Sequence, residues 1–105
     1  MTGQRTPISV LVIDDDRVVR HFVDLVLSQA GYEVSTESSG ELGVAAFKRA
    51  RWDLVLLDIQ MPGMNGLEVL QLLRTYMQTN TPVAMMTSTA DAKTVRRALV
   101  GGAVG

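Results

Sequence analysis

The chain has 105 residues, 47% of them hydrophobic and 20% charged, with a formal net charge of -1 at pH 7; this suits one domain with a modest core and leaves no room for a second. Charges of both signs are interspersed, which argues against a basic nucleic-acid face and against a disordered acidic tail. No cysteine is present, so disulfides, thiolate nucleophiles and sulfur-ligated metals are excluded and the chemistry is left to oxygen ligands and one histidine.

The opening from Met1 to Pro7 is polar, and the first apolar run is too short for a signal-peptide core or a membrane span. A cytoplasmic protein without membrane contact is expected. Ile8 to Ile13 follows a proline and stops at three aspartates, as a short buried strand does. From Arg17 to Ala30, Val18, Val19, Phe22, Val26 and Ala30 form a helical stripe closed by Gly31. Tyr32 to Thr36 alternates weakly and carries polar groups, which predicts an edge strand. Ser38 with Glu41 resembles a capping box for a helix through Leu42, Ala45, Ala46 and Phe47.

Asp53 to Asp58 is a second continuous apolar run ending in a carboxylate, broken by the loop from Gln60 to Met64. Asn65 is placed to cap a third helix with Leu67, Leu70, Leu73 and Met77 on one stripe, and Thr79 to Pro82 ends it. Val83 to Met86 is a fourth strand ending at Thr87. Asp91 then caps a fourth helix containing Val95, Ala98 and Leu99, which Gly101 and Gly102 terminate.

Alternating strands and helices imply right-handed crossovers and a parallel sheet with helices on both faces. The predicted class is α/β: a flavodoxin-like, three-layer, doubly wound sheet of order 2-1-3-4. Strands one, three and four read as apolar on both faces, so strand four should have a further neighbour. The expectation is therefore a single domain over residues 1–105 that lacks its fifth strand and last helix, with an open strand-four edge that invites a homodimer.

The carboxyl ends of parallel strands share one rim, and ligands bind where strand order reverses. That rim carries Asp14, Asp15, Asp58 and Thr87. Crowded carboxylates repel and take up protons unless a cation compensates them; oxygen-only ligands on loops favour Mg2+, with Mn2+ as a substitute. Asp58, alone at the end of the central strand, is placed to attack phosphorus and form an acyl phosphate. Thr87, with Ser88 beside it, can offer a hydroxyl to a phosphoryl oxygen. Asp16 reads as a helix N-cap, His21 as a surface residue, Trp52 as packing at the start of strand three, and the methionines as core and loop filler.

Taken together, Val12-Ile13-Asp14-Asp15-Asp16 with Arg20, the run Asp53 to Asp58, Met61-Pro62-Gly63-Met64-Asn65-Gly66 and Pro82-Val83 through Thr87-Ser88 resemble the receiver domain of two-component response regulators, from about Ile8 to Gly105. The resemblance implies Asp58 as phosphoacceptor, Asp15 as main metal ligand, Asp14 assisting directly or through water, and the Gln60 backbone carbonyl on the metal. It also implies that Thr87 moves toward the phosphoryl group, and that a histidine kinase or histidine phosphotransfer protein is the donor. Such a chain catalyses at most its own phosphorylation and dephosphorylation. Receivers continue past the pattern at Gly102 to Gly105 with an aromatic residue, then Lys-Pro, then a last helix; the lysines here are Lys48 and Lys93, and neither precedes a proline. The phosphate-contacting lysine and aromatic switch of the family thus have no counterpart, which leaves a second expectation, a receiver-fold interaction module that self-associates without an efficient phospho-switch. A flavodoxin-like cofactor binder is disfavoured because three aspartates repel a bound phosphate, and an Asp-x-Asp hydrolase because its second carboxylate and later lysine are missing.

Overall fold

A computed structural model of the chain describes residues 7–76 and 80–86. The elements in chain order are β1 (Ser9–Ile13), α1 (Arg17–Gln29), β2 (Glu33–Glu37), α2 (Gly40–Arg49), β3 (Leu54–Asp58), α3 (Gly66–Gln71), which continues as a π-helical stretch over Leu72–Tyr76, and β4 (Val83–Met86). The four strands are parallel in the order β2-β1-β3-β4, as the alternation of apolar runs and helical stripes requires. Met77, Thr87, Ser88 and the expected fourth helix with Asp91, Val95, Ala98 and Leu99 lie outside the described residues.

Strand alternation divides the burial. Leu11 and Ile13 of β1, Val55 and Leu57 of β3 and Val83 of β4 form one buried cluster with Ala46 and Phe47 of α2 and Val69, Leu70 and Leu73 of the third helical segment. Val10 and Val12 are equally buried but project to the opposite face, where α1 packs on β1 and β2. No residue of α1 is buried: Val18 is 76% and Phe22 64% exposed. The expected stripe is therefore present on the helix but not enclosed, because α1 is the sole described helix on its side of the sheet and nothing flanks it among the described residues.

The helix ends follow local chemistry. Asp16 accepts from the Val18 and Val19 amides at 2.8 and 3.3 Å and caps α1. At its other end Gly31, with φ of 96°, takes the left-handed conformation, and the amides of Gly31 and Tyr32 bond back to the carbonyls of Ser28 and Leu27, both at 3.1 Å. Asn65 and Glu68 form a reciprocal capping box on α3.

The second helix corrects the sequence reading. Its cap is Ser39, whose hydroxyl accepts from the Leu42 amide at 3.1 Å, not Ser38; Glu41 therefore falls one place short of the capping-box position and serves the positive end of the helix by its charge alone. The buried face runs Gly40, Gly43, Ala46 and Phe47, whereas Leu42 and Ala45 are exposed. Gly43 sets this face: a Cβ there would meet Ile13, with Cγ1 only 2.7 Å away, so α2 rests on β1 through a position with no side chain. Trp52 packs against the core and donates from Nε1 to the Ala46 carbonyl at 3.2 Å.

Leu57 has no exposed surface and lies one residue before Asp58. Leu57→Ala is expected to destabilise the fold by about 2–5 kcal/mol, read as a lower urea midpoint with an unchanged slope; a loss below about 1 kcal/mol would place this side chain outside the core.

Candidate functional site

The site grows from the places where two buried strands run out of apolar residues. β1 ends at Ile13 and hands the chain to Asp14, which is 4% exposed and is the sole buried polar residue among those described. The Asp14 amide still donates to the Glu37 carbonyl of the neighbouring strand at 3.1 Å. Its Oδ1 accepts from the Asp16 amide at 2.8 Å and its carbonyl accepts from Arg20 Nη1 at 2.8 Å. Asp15, next along, is exposed to the crevice.

β3 delivers Asp58, half-buried, in register with Met86 of β4. Its Oδ1 accepts from the Gln60 amide at 3.2 Å. The following turn is clamped: the Ile59 amide donates to the Met86 carbonyl at 3.1 Å, and the Gly66 amide donates to the Ile59 carbonyl at 3.0 Å. Gly66 opens α3 so close behind Asp58 that a Cβ would collide with the Asp58 carbonyl oxygen and lie 2.7 Å from Ile59 Cα. The helix start is thus pressed on the strand end that carries the carboxylate.

Asp14, Asp15 and Asp58 each offer a carboxylate oxygen, and these atoms all lie within 4.8 Å of one another. They line a cavity of about 400 Å³ with Asp16, Val19, Gln60 and Met86. The Asp58 carboxyl is raised from 3.8 to about 6, first by burial and then by the charge of Asp14 and hydrogen bonds with Asp15 and Asp14, against the lowering effect of the Gln60 amide. A carboxyl so placed holds its proton well above the ordinary carboxylate range until a cation arrives.

A larger cavity of about 590 Å³ lies at the opposite rim, along Ser9, Glu33, Arg51 and Asp53. Ser9 and Asp53 pair with each other there. The Ser9 amide and hydroxyl donate to Asp53 Oδ2 at 2.8 and 3.2 Å, and the hydroxyl also reaches the Arg51 carbonyl at 3.2 Å. This is a clasp between the starts of β1 and β3.

Of the residues singled out in the sequence, Asp14, Asp15, Asp58 and Gln60 come together, Asp16 caps α1, and Thr87 and Ser88 lie outside the described residues. His21 is exposed. The sequence reading gave no structural part to the Arg20 contact with the Asp14 carbonyl, nor to Val19 and Met86 as cavity walls. A signal for Arg20 existed: a cation early in a helix opposes the helix dipole and asks for a local partner.

Comparison with known proteins gives one answer. The family model described as the response regulator receiver domain matches residues 10–105. The cell cycle transcriptional regulator CtrA of Caulobacter vibrioides is 36% identical over 94 residues, covering 90% of this chain and 40% of CtrA. The DNA-binding response regulator MtrA of Mycolicibacterium smegmatis is 35% identical over 94 residues, again 90% of this chain and 40% of that protein. The chain thus spans about 40% of the length of these relatives. Among solved structures, the Vibrio cholerae chemotaxis protein CheY4 superposes with a TM-score of 0.90 at 33% identity, covering 95% of this chain and 84% of that one. A CheY-like receiver domain protein from Methanospirillum hungatei gives 0.87 at 26% identity, covering 93% and 78%.

Two outcomes follow from the geometry. Gly66→Ala is expected to destabilise by about 1–3 kcal/mol, because the strand end cannot retreat without breaking its bond to Met86; denaturant unfolding reads this directly. Because the folded-state value of Asp58 lies above its unfolded value, the protonated form favours the fold. That contribution is fully present below about pH 3.8 and is lost as pH rises through about 6. At pH 7 without divalent cation, Asp58→Asn should therefore melt higher, by several degrees, equivalent to about 1 kcal/mol after allowing for the solvent that still reaches the carboxyl. At pH 4 the difference should vanish; a variant that melts lower at both pH values would contradict the upward shift of Asp58.

Proposed function

Because the chain belongs to the response regulator receiver domain family, we propose that it accepts a phosphoryl group on Asp58, and that this modification alters a surface read by a partner or an output domain. The observation that carries this reading is the convergence of Asp14, Asp15 and Asp58 with their oxygens within 4.8 Å of one another.

The donor set suits a hard divalent cation. All three side-chain donors are carboxylates, and Asp58 is raised first by burial and then by the neighbouring charge of Asp14, both of which a cation would offset. Mg2+ is the ion such a set favours, with Mn2+ as a substitute. Asp15 and Asp58, with the Gln60 carbonyl, would hold it, and Asp14 would assist directly or through water. When bound, it supplies positive charge that offsets the carboxylates and the oxygens of an incoming phosphoryl group.

The chain supplies position and a nucleophile. The Gln60 amide holds Asp58 Oδ1, leaving the second oxygen to attack phosphorus. An O–P bond forms as the P–N bond of a phosphohistidine breaks, and the leaving imidazole keeps the electron pair. Val19 and Met86 line the cavity beside the carboxylates and keep part of it dry. Thr87, one place beyond the strand position paired with Asp58, is assigned the hydroxyl that meets the phosphoryl group, with Ser88 as its small neighbour. The donor is a histidine kinase or a histidine phosphotransfer protein, which places the reaction in the cytoplasm; no helix among the described residues is long and apolar enough to cross a membrane. The names of CtrA and MtrA speak of transcription and DNA binding. We assign no DNA contact to these residues.

Incubation with Mg2+ and a small phosphodonor such as acetyl phosphate is expected to add the mass of one phosphoryl group. Asp58→Asn should abolish the addition, and chelation of the metal should suppress it. A folded wild-type sample that stays unmodified would leave the interaction-module reading in its place.

A further inference from the structure

Asp14 is held at three atoms. Its amide donates to the Glu37 carbonyl at 3.1 Å, its Oδ1 accepts from the Asp16 amide at 2.8 Å, and its carbonyl accepts from Arg20 Nη1 at 2.8 Å. The first of these prolongs the β ladder and the second closes a tight turn. The third is different in kind, because a side chain from the next helix reaches back to grip the backbone between Asp14 and Asp15.

Arg20 is the fourth residue of α1. Side chains on a helix lean toward its N-terminus, so a residue at this place covers the loop that precedes the helix. Electrostatically the place is a poor one for a cation, since the N-terminal end of a helix carries positive partial charge. The first turn holds no acidic residue to offset it, and Arg17 opens the helix. The compensation lies off the helix, in the Asp14 carbonyl.

We propose that Arg20 is a positioning residue for the acidic site. By fixing the Asp14 carbonyl it fixes the rotation of the peptide plane joining Asp14 to Asp15, and with it the directions in which both carboxylates enter the cavity. The rigid planar fork of a guanidinium suits this task better than a mobile ammonium. Arg20 acts through Asp14. This inference rests on the reading of the site as a divalent-cation and phosphoryl centre.

The test is Mg2+ binding by isothermal titration calorimetry on the wild-type chain, Arg20→Ala and Arg20→Lys, with melting temperatures and NMR amide exchange at Asp16 as companions. Arg20→Ala should weaken Mg2+ binding about tenfold, as loss of an outer-shell partner does. It should also speed exchange of the Asp16 amide while leaving the melting temperature near wild type; Arg20→Lys should recover part of both. Wild-type Mg2+ affinity in Arg20→Ala would overturn the positioning role while leaving the receiver chemistry intact. Should Arg20→Ala not fold, Arg20→Lys decides, with weakened binding at an unchanged melting temperature in favour and unchanged binding against. A wild-type chain that does not bind Mg2+ would remove the centre itself, and the role of Arg20 with it.

Discussion

Three carboxylates share one small cavity, and the rest of the structure is arranged so that they cannot move apart. In water such groups would separate or take up protons. Here Asp14 is fixed by three hydrogen bonds and Asp58 by the Gln60 amide, while the strands that carry them are adjacent and in register from Val10 with Leu54 to Ile13 with Leu57. Burial raises the Asp58 carboxyl and the charge of Asp14 adds to the shift, and the same proximity makes a divalent cation welcome.

The packing that enforces this is local. Gly43 lets α2 rest on Ile13, the last buried residue before Asp14, and Gly66 lets α3 start against the carbonyl of Asp58. Both glycines are used for what they lack. A side chain at either place would push a helix off the strand end that carries a site residue, so the layer of α2 and α3 presses on the two strand termini where the acidic groups begin. Strain is not needed for this; close approach suffices.

Much of this was legible in the residue order. Apolar runs stopped by aspartates located β1 and β3 and the rim they share, and the weak alternation after Tyr32 marked β2 as the edge. Asp16 and Asn65 read correctly as caps because side-chain acceptors before an apolar stripe have few other uses. The second helix was misread at Ser38 and Leu42 because two adjacent serines offer equivalent caps, and because a glycine face gives no hydrophobic signal in a periodicity argument. On the third helical segment the expected stripe does meet the core, with Leu70 and Leu73 fully buried and Leu67 packed against them, and Val69 joins it from a neighbouring position. The enclosure of α1 was not legible, since a stripe reports what a helix can bury and is silent on whether a neighbour stands beside it.

In both strands the last core residue and the first acidic one are sequence neighbours, Ile13 beside Asp14 and Leu57 beside Asp58. One peptide unit separates positions judged by opposite criteria. On one side any loss of apolar volume weakens the domain; on the other, at Asp58, neutralising the charge relieves it. Selection for durability alone would therefore erase Asp58 and keep Leu57, yielding a well-folded descendant with the same sheet and no chemistry, so that persistence of Asp58 in a lineage would itself be a record of use.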